Sequence, residues 1–211
     1  MTNLLFQVNS RDKDKSSVLL QTMSVDEPSL SVVKELIEAG ANPRLTNNRG
    51  EVVLVEAAKK EEINLPLIRL LLQHSQVDAG RKVEVQGVTF TETAFSVAVK
   101  RGKKELVRVL LDAGASFSEA VLDEDWKPGE RILLPLGLAV KLKSSAIISL
   151  LMERGARECE LEEAISGKES TASLKSELSV CIDLAVAGRD PDIIGTLSDF
   201  IANSKSVKVE L

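Results

Sequence analysis

The chain has 211 residues, 44% hydrophobic and 28% charged, with a net charge of −5. That length suits one domain or a short repeat array, and the mild negative charge argues against a nucleic-acid partner. Five Phe, one Trp and no Tyr leave a core that must be aliphatic, which favours closely packed helices. Cys159 and Cys181 have no CxxC or Cys/His spacing around them. They read as buried free thiols of a reducing compartment rather than as a metal site or a disulfide framework. The apolar patch Leu4–Phe6 precedes Arg11, Lys13 and Lys15, the reverse of a secretory signal, and no run nears the roughly 18 apolar residues of a membrane span. The expectation is a soluble, cytoplasmic protein, with the nucleus left open.

In chain order, residues 1–15 are expected to be a flexible leader. Ser17–Ser24 and Leu30–Ala39 form a first pair of helices. Val53–Lys60 (VLVEAAKK) follows as a short helix. Asn64 before Leu65-Pro66 signals the start of a second helix running into Ile68–Gln76. Lys82–Phe90 alternates around Gln86-Gly87, which predicts a hairpin. Thr93 is placed to cap Ala94–Arg101 (AFSVAVKR), and a longer helix ends in Val107–Ala115 (VRVLLDAGA). Ser116–Arg131 is a long loop holding Trp126 and a Pro128-Gly129 turn. Pro135 suits the first position of Pro135–Leu142 (PLGLAVKL), and another helix ends in Ile148–Ala156 (ISLLMERGA). Further on, Glu160–Ser166 reads as a short helix and Gly167–Ser173 as a polar loop. Leu174–Ala187 and Pro191–Ala202 form a last pair, with Asp190-Pro191 as the start signal and Phe200 and Ile201 in the slots of Leu110 and Leu111.

The longer helices end alike. Val33–Ala41 (VKELIEAGA), Ile68–Gln76, Val107–Ala115 and Ile148–Ala156 align on Gly40, Ser75, Gly114 and Gly155, spaced by 35, 39 and 41 residues. Periods of this size signal stacked repeats. Glycine suits the left-handed residue after a helix end, so Ser75 should bring a strained or differently capped turn. The shorter helices share a small residue, Ala57, Ala98 or Ala139, which lets neighbours approach closely.

This order of loop, short Ala-rich helix, turn and longer helix ending LLxxGA resembles the ankyrin repeat. Thr93–Ser116 carries the resemblance best, through Thr93, Phe95, Ala98, Gly102, Val107, Leu110, Leu111, Gly114 and Ala115. It covers about Ser17–Arg157 well and Leu174–Ser204 loosely. No repeat keeps the family's Thr-Pro-Leu-His histidine: the corresponding residues are Val52–Val55, Thr93–Ser96 and Leu134–Gly137. The resemblance implies an all-α solenoid of stacked antiparallel helix pairs with hairpin-like connecting loops. Repeats are expected near 16–47, 48–81, 82–118 and 119–157. An irregular capping repeat covers 158–204, so that 16–211 is a single domain with a flexible tail at 205–211.

No catalytic constellation is visible. His74 is the one histidine and has no dyad partner. Asp123, Glu124 and Asp125 are adjacent and point in different directions, as a solvated acidic loop does. Gly114-Ala115 and Gly155-Ala156 follow helix ends, whereas phosphate cradles precede helix starts. The sequence therefore predicts no enzyme, no metal site and no cofactor.

Charge recurs on the expected surface. Lys59, Lys100 and Lys141 share one slot of the short helix, and Lys60 and Arg101 share the next; Lys103, Lys104 and Lys143 lie nearby. Helices stacked about 10 Å apart would turn this slot into a ladder. It reads either as a surface for an acidic partner or as a solvated face offset by Glu61, Glu62 and Glu105. Trp126 reads either as a partner contact or as a core residue folded back near Ile132 and Leu133.

The leading expectation is a non-catalytic adaptor that binds another protein through its loop tips and inner helices, with an acidic surface or peptide as the candidate target. Lys59, Lys100, Lys141, Arg101, Trp126, Asp125 and Gln86 are the expected contacts, with neither nucleic acid nor membrane involved. A structural subunit of a larger assembly and an enzyme with a site within 157–211 are the alternatives.

Overall fold

The helices begin where local hydrogen bonding starts them. In the computed structural model, Thr93 Oγ1 accepts from Ser96 N (3.1 Å) while Ser96 Oγ accepts from Thr93 N (3.0 Å), a reciprocal cap that satisfies two donors the helix leaves unpaired. Asn64 Oδ1 accepts from Leu67 N, and Asp190 Oδ1 from Ile193 N. Pro135 opens its helix, at a position that needs no N–H. The structure describes residues 8–123, 127, 132–155, 181–182 and 185–206, without the side chains of 200, 201 and 203–206. Trp126, Asp125, Glu160–Ser166 and Gly167–Ser173 lie outside the described residues, as does most of Leu174–Ala187. Two units divide the chain, Met1–Ser116 and Phe117–Leu211.

The first unit holds α1 (Val18–Gln21) with a 3-10 turn at Thr22–Ser24, α2 (Leu30–Glu38), α3 (Val53–Ala58) and α4 (Leu65–Leu72). The strands β1 (Gly80–Val85) and β2 (Val88–Thr93) then lead into α5 (Ala94–Lys100) and α6 (Lys104–Asp112). The inner helices α1, α3 and α5 pack in succession, as do the outer helices α2, α4 and α6. The small slots permit this approach: Ala57 and Ala98 are buried. Around them Leu19, Leu54, Ile68, Val107 and Leu110, joined by the aromatic Phe95, form a mainly aliphatic core closed to solvent.

The outer helices α2 and α6 end in the same way. Gly40 and Gly114 have φ of 91° and 86°. Ala41 N and Ala115 N bond back to Leu36 O and Leu110 O, pairing carbonyls that the helix end would otherwise leave open. Ser75 is not left-handed. Its N–H bonds to Leu71 O instead, the different cap that the sequence calls for, and its hydroxyl is buried without a partner.

Residues 9–15, assigned to a flexible leader from sequence, are hydrogen-bonded locally and to the next loop. Asn9 Nδ2 donates to Gly40 O and Asn9 Oδ1 accepts from Asn42 N. Asp12 Oδ1 accepts from the N–H groups of Asp14 and Ser16; Asn47 Oδ1 accepts from Arg49 and Glu51 in the same pattern. Lys15 and Gly50, each three residues later, are both left-handed. The loop before α1 thus repeats the loop before α3.

The hairpin β1–β2 is antiparallel, with Val85 opposite Val88 and Arg81 opposite Glu92. Gln86 and Gly87 have φ of 51° and 84°, the two left-handed residues a tight hairpin turn requires. At the root a Cβ on Gly80 would lie 2.6 Å from Glu92 O, so only glycine lets the strands close there.

The second unit holds α7 (Pro135–Lys141), α8 (Ser145–Glu153) and α9 (Pro191–Ser206), with helical residues at 181–182 and 185–187. The helix α8 packs on both α7 and α9. Ile132, Leu133 and Leu134 are buried ahead of α7. Ala139 and Ala185 are buried at the slot of Ala57 and Ala98. Counted from the helix start, Ile193 and Leu197 fill the slots that Leu106 and Leu110 hold in α6, and both are buried. The side chains of Phe200 and Ile201, expected in the slots of Leu110 and Leu111, lie outside the described residues; counted from the helix start, those slots hold Leu197, buried, and Ser198, exposed. The helix continues to Ser206, beyond the expected end at Ala202. Cys181 is buried and disulfide-bonded, which corrects the free-thiol expectation for it. Separation along the chain says nothing about whether two sulfurs meet in space, so spacing alone could not have excluded the bond.

Candidate binding surface

The basic slot is built by the last residue or C-cap of α3, α5 and α7. Lys59, the C-cap of α3, places its ammonium 2.9 Å from Glu56 Oε1 and 2.9 Å from Glu92 Oε2. The Arg81 guanidinium reaches the same Glu92 oxygen at 3.0 Å. Burial pushes the Glu92 carboxyl up, but the hydrogen bond and charge of Lys59, joined by Arg81, outweigh it and hold the pKa below its ordinary value. Lys59 is thus engaged in fixing the hairpin root to α3.

The adjacent basic residues serve helix ends. Arg101 Nη1 donates to Lys59 O at 2.6 Å, and Lys103 Nζ to Glu61 O at 2.8 Å. Both reach carbonyls near the end of the preceding inner helix, which carry no intrahelical partner. Lys100 ends α5, half-buried, at the slot of Lys59. In the second unit Lys141 ends α7, exposed and ion-paired with Asp123. Lys143 Nζ donates to Gly188 O at 3.1 Å.

Gln86 is exposed at the hairpin tip. Trp126 and Asp125 lie outside the described residues. His74 is exposed, and its carbonyl accepts from Arg44 Nε. Sequence reasoning missed Glu92, Arg81 and Asp78, whose Oδ1 accepts from Ser116 N at 2.9 Å. The Arg81–Glu92 pair could have been found, because each residue lies five positions from the turn pair Gln86-Gly87 and opposite charges face each other across a hairpin in that register.

In the second unit the ends of two inner helices border a cleft of about 270 Å³, lined by Val140, Lys141, Lys143, Ala185, Ala187, Gly188 and Asp190. Among the described residues no group of three or more His, Cys, Asp or Glu could hold a metal ion, and no helix is long and apolar enough to cross a membrane.

Small-residue inner helices, longer outer helices closed by left-handed glycines, and a hairpin between successive pairs define a repeat protein of stacked helical hairpins. Residues 21–121 match the sequence model of the family described as ankyrin repeats, in three copies, so that segment is similar to ankyrin repeats. The ankyrin repeat domain of human ASB11, known from a crystal structure, shares the fold with a TM-score of 0.60 at 18% identity, over 92% of this chain and 72% of that one. A search of curated proteins finds no match.

Proposed function

We propose that the chain is a non-catalytic interaction module that binds a protein partner through its inner-helix ends and hairpin tip. Ankyrin repeats in general mediate protein–protein interaction. The observation that carries the reading here is the placement of Gln86 and Lys141. Both are exposed, neither is spent on the core, and they stand at a paired hairpin turn and at the end of a helix, where a partner can reach them. The partner would carry an acidic surface or peptide, since the recurrent side chains at these ends are Lys and Arg. The reading also places the protein in the cytoplasm. The Cys181 disulfide argues for an oxidising compartment instead, so the redox state of Cys181 in rapidly alkylated cell extracts decides that part.

The interaction reading is tested with a photo-crosslinking side chain at Gln86, at Lys141 and, as control, at Lys34 on the exposed side of α2. A defined partner joined from 86 and 141 but not from 34, and then binding the purified protein, is expected. Equal labelling from all three positions, or a partner joined from 34 alone, sinks the reading.

A structural subunit of a larger assembly is the second reading, and one observation favours it. Val18, Val25 and Val32 on the first repeat are 36%, 54% and 46% exposed. Val18 and Val32 occupy the slots of Val53 and Ala94 and of Leu67 and Leu106, all of which are buried in the repeats that follow.

A further inference from the structure

We infer that the cleft between the inner-helix ends of the second unit is a docking pocket for an acidic residue next to a small aliphatic one in an extended segment of a partner protein. The inference rests on the interaction reading above and deepens it.

The cleft exists because the last repeat departs from the others at two positions. Aligned on the buried alanines Ala57, Ala98, Ala139 and Ala185, the two following slots hold Lys59-Lys60, Lys100-Arg101 and Lys141-Leu142, but then Ala187-Gly188. Arg101 reaches across to Lys59 O at the end of the preceding inner helix; the last repeat has Gly188 in the Arg101 slot, and a cleft of about 270 Å³ opens. That is smaller than a typical small-molecule pocket of about 300 Å³ or more, and of a size for one or two side chains. Val140 and Ala185, both almost closed to solvent, and Ala187 give it apolar walls. The two exposed large apolar residues of the second unit among those described, Leu142 and Val186 at 45% and 54%, are chain neighbours of residues that line it.

Its polar groups lean positive. Lys141 and Lys143 line the rim and Arg189 adjoins it, against Asp123, ion-paired with Lys141, and Asp190, whose Oδ1 accepts from Ile193 N. Lys143 reaches across to Gly188 O, a neutral carbonyl. The pocket therefore offers an apolar floor beside a cation, and charge complementarity selects a carboxylate carried next to an aliphatic side chain.

The test is selection of random dodecapeptides on the intact protein, followed by affinity measurement on wild type and on Ala187→Lys. That variant restores the residue type of the other three repeats, fills the cleft and keeps the helix. Expected are peptides that share an acidic residue beside an aliphatic one. They should weaken by about tenfold on Ala187→Lys and on exchange of their own Glu for Gln, and keep their affinity for Lys34→Glu. Circular dichroism and melting of the variant check that its fold is intact; should it unfold, Leu142→Arg, which blocks the same mouth, takes its place. Peptides that bind wild type and the filled variant equally overturn the pocket while leaving the interaction reading standing. Selection of no acidic-aliphatic peptide also overturns it. The interaction reading itself fails only through the crosslinking outcomes given above.

Discussion

The ammonium of Lys59 and the carboxylate of Glu92 meet at 2.9 Å, joining the end of one inner helix to the strand that leads into the next. Arg81 closes the group from the opposite strand at 3.0 Å. The hairpin is thereby held at its root by charges from two repeats, while its tip stays open to solvent. Orientation of the tip is thus set in part by Lys59, a residue that the sequence offers as a partner contact.

Glu92→Gln should cost about 1 kcal/mol at neutral pH, because the pair is only partly buried and solvent screens it. The folded pKa of Glu92 lies below its ordinary value of 4.5. Its contribution is therefore complete above the unfolded carboxylate range and lost as pH falls through the folded pKa. Urea denaturation of wild type and variant between pH 7 and pH 3 should show the difference at neutral pH shrinking in acid. A difference that stays constant across that range would mean that Glu92 does not act through its charge.

Ala98→Glu should destabilise by about 3 kcal/mol or more. The methyl group of Ala98 is fully closed to solvent between inner helices, and a carboxylate there would have neither water nor a partner. An unchanged melting temperature would overturn the assignment of Ala98 to the inter-helix slot.

The helix pairs were legible in the sequence because close packing leaves a regular trace. A small residue is needed wherever helices touch, and a glycine wherever an outer helix turns back; Ala57, Ala98 and Ala139, with Gly40 and Gly114, sit where those demands fall. In the last repeat Phe200-Ile201 resembles Leu110-Leu111 in sequence, while the helix start after Arg189 puts Ile193 and Leu197 inside. The basic slot was visible, but its use was not. That Lys59 pairs with Glu92 and Arg101 bonds to Lys59 O depends on where neighbouring repeats come to lie, and residue type alone does not reveal it.

Arg189→Gly should stabilise the protein by up to about 1 kcal/mol. Gly102, Lys143 and Arg189 follow the inner helices at one slot, with φ of 66°, 57° and 52°. In each case the next residue's N–H bonds back to the buried alanine: Lys103 to Ala98, Ser144 to Ala139 and Asp190 to Ala185. The turn is the same, but only the first uses the residue for which left-handed backbone is free of steric cost. Calorimetry should find a higher melting temperature for Arg189→Gly and a lower one for Gly102→Ala. A fall in the first would show that the Arg189 side chain contributes more than its backbone costs.

Ser75→Ala should be neutral or stabilising, by up to about 1 kcal/mol, although it removes a polar group from a turn. Where Gly40 and Gly114 reverse the chain in the left-handed region, the second repeat keeps Ser75 out of that region and bonds its N–H to Leu71 O at 2.9 Å. The side chain gains nothing from this arrangement, since Ser75 Oγ is buried without a hydrogen-bond partner. A buried hydroxyl in that state has lost its water and received nothing in exchange, so deleting it removes a penalty and leaves the backbone cap untouched. Ser75→Gly separates the two effects. It also deletes the hydroxyl, but it loosens the unfolded chain where no left-handed residue is called for, and it should therefore lie below Ser75→Ala in stability. Urea melts of the three proteins give the order directly. If Ser75→Gly proves the most stable, the second outer helix prefers the glycine-type ending of its neighbours, and the serine turn is strained. If Ser75→Ala is destabilised by more than about 1 kcal/mol, the hydroxyl has a partner and the turn is held by it.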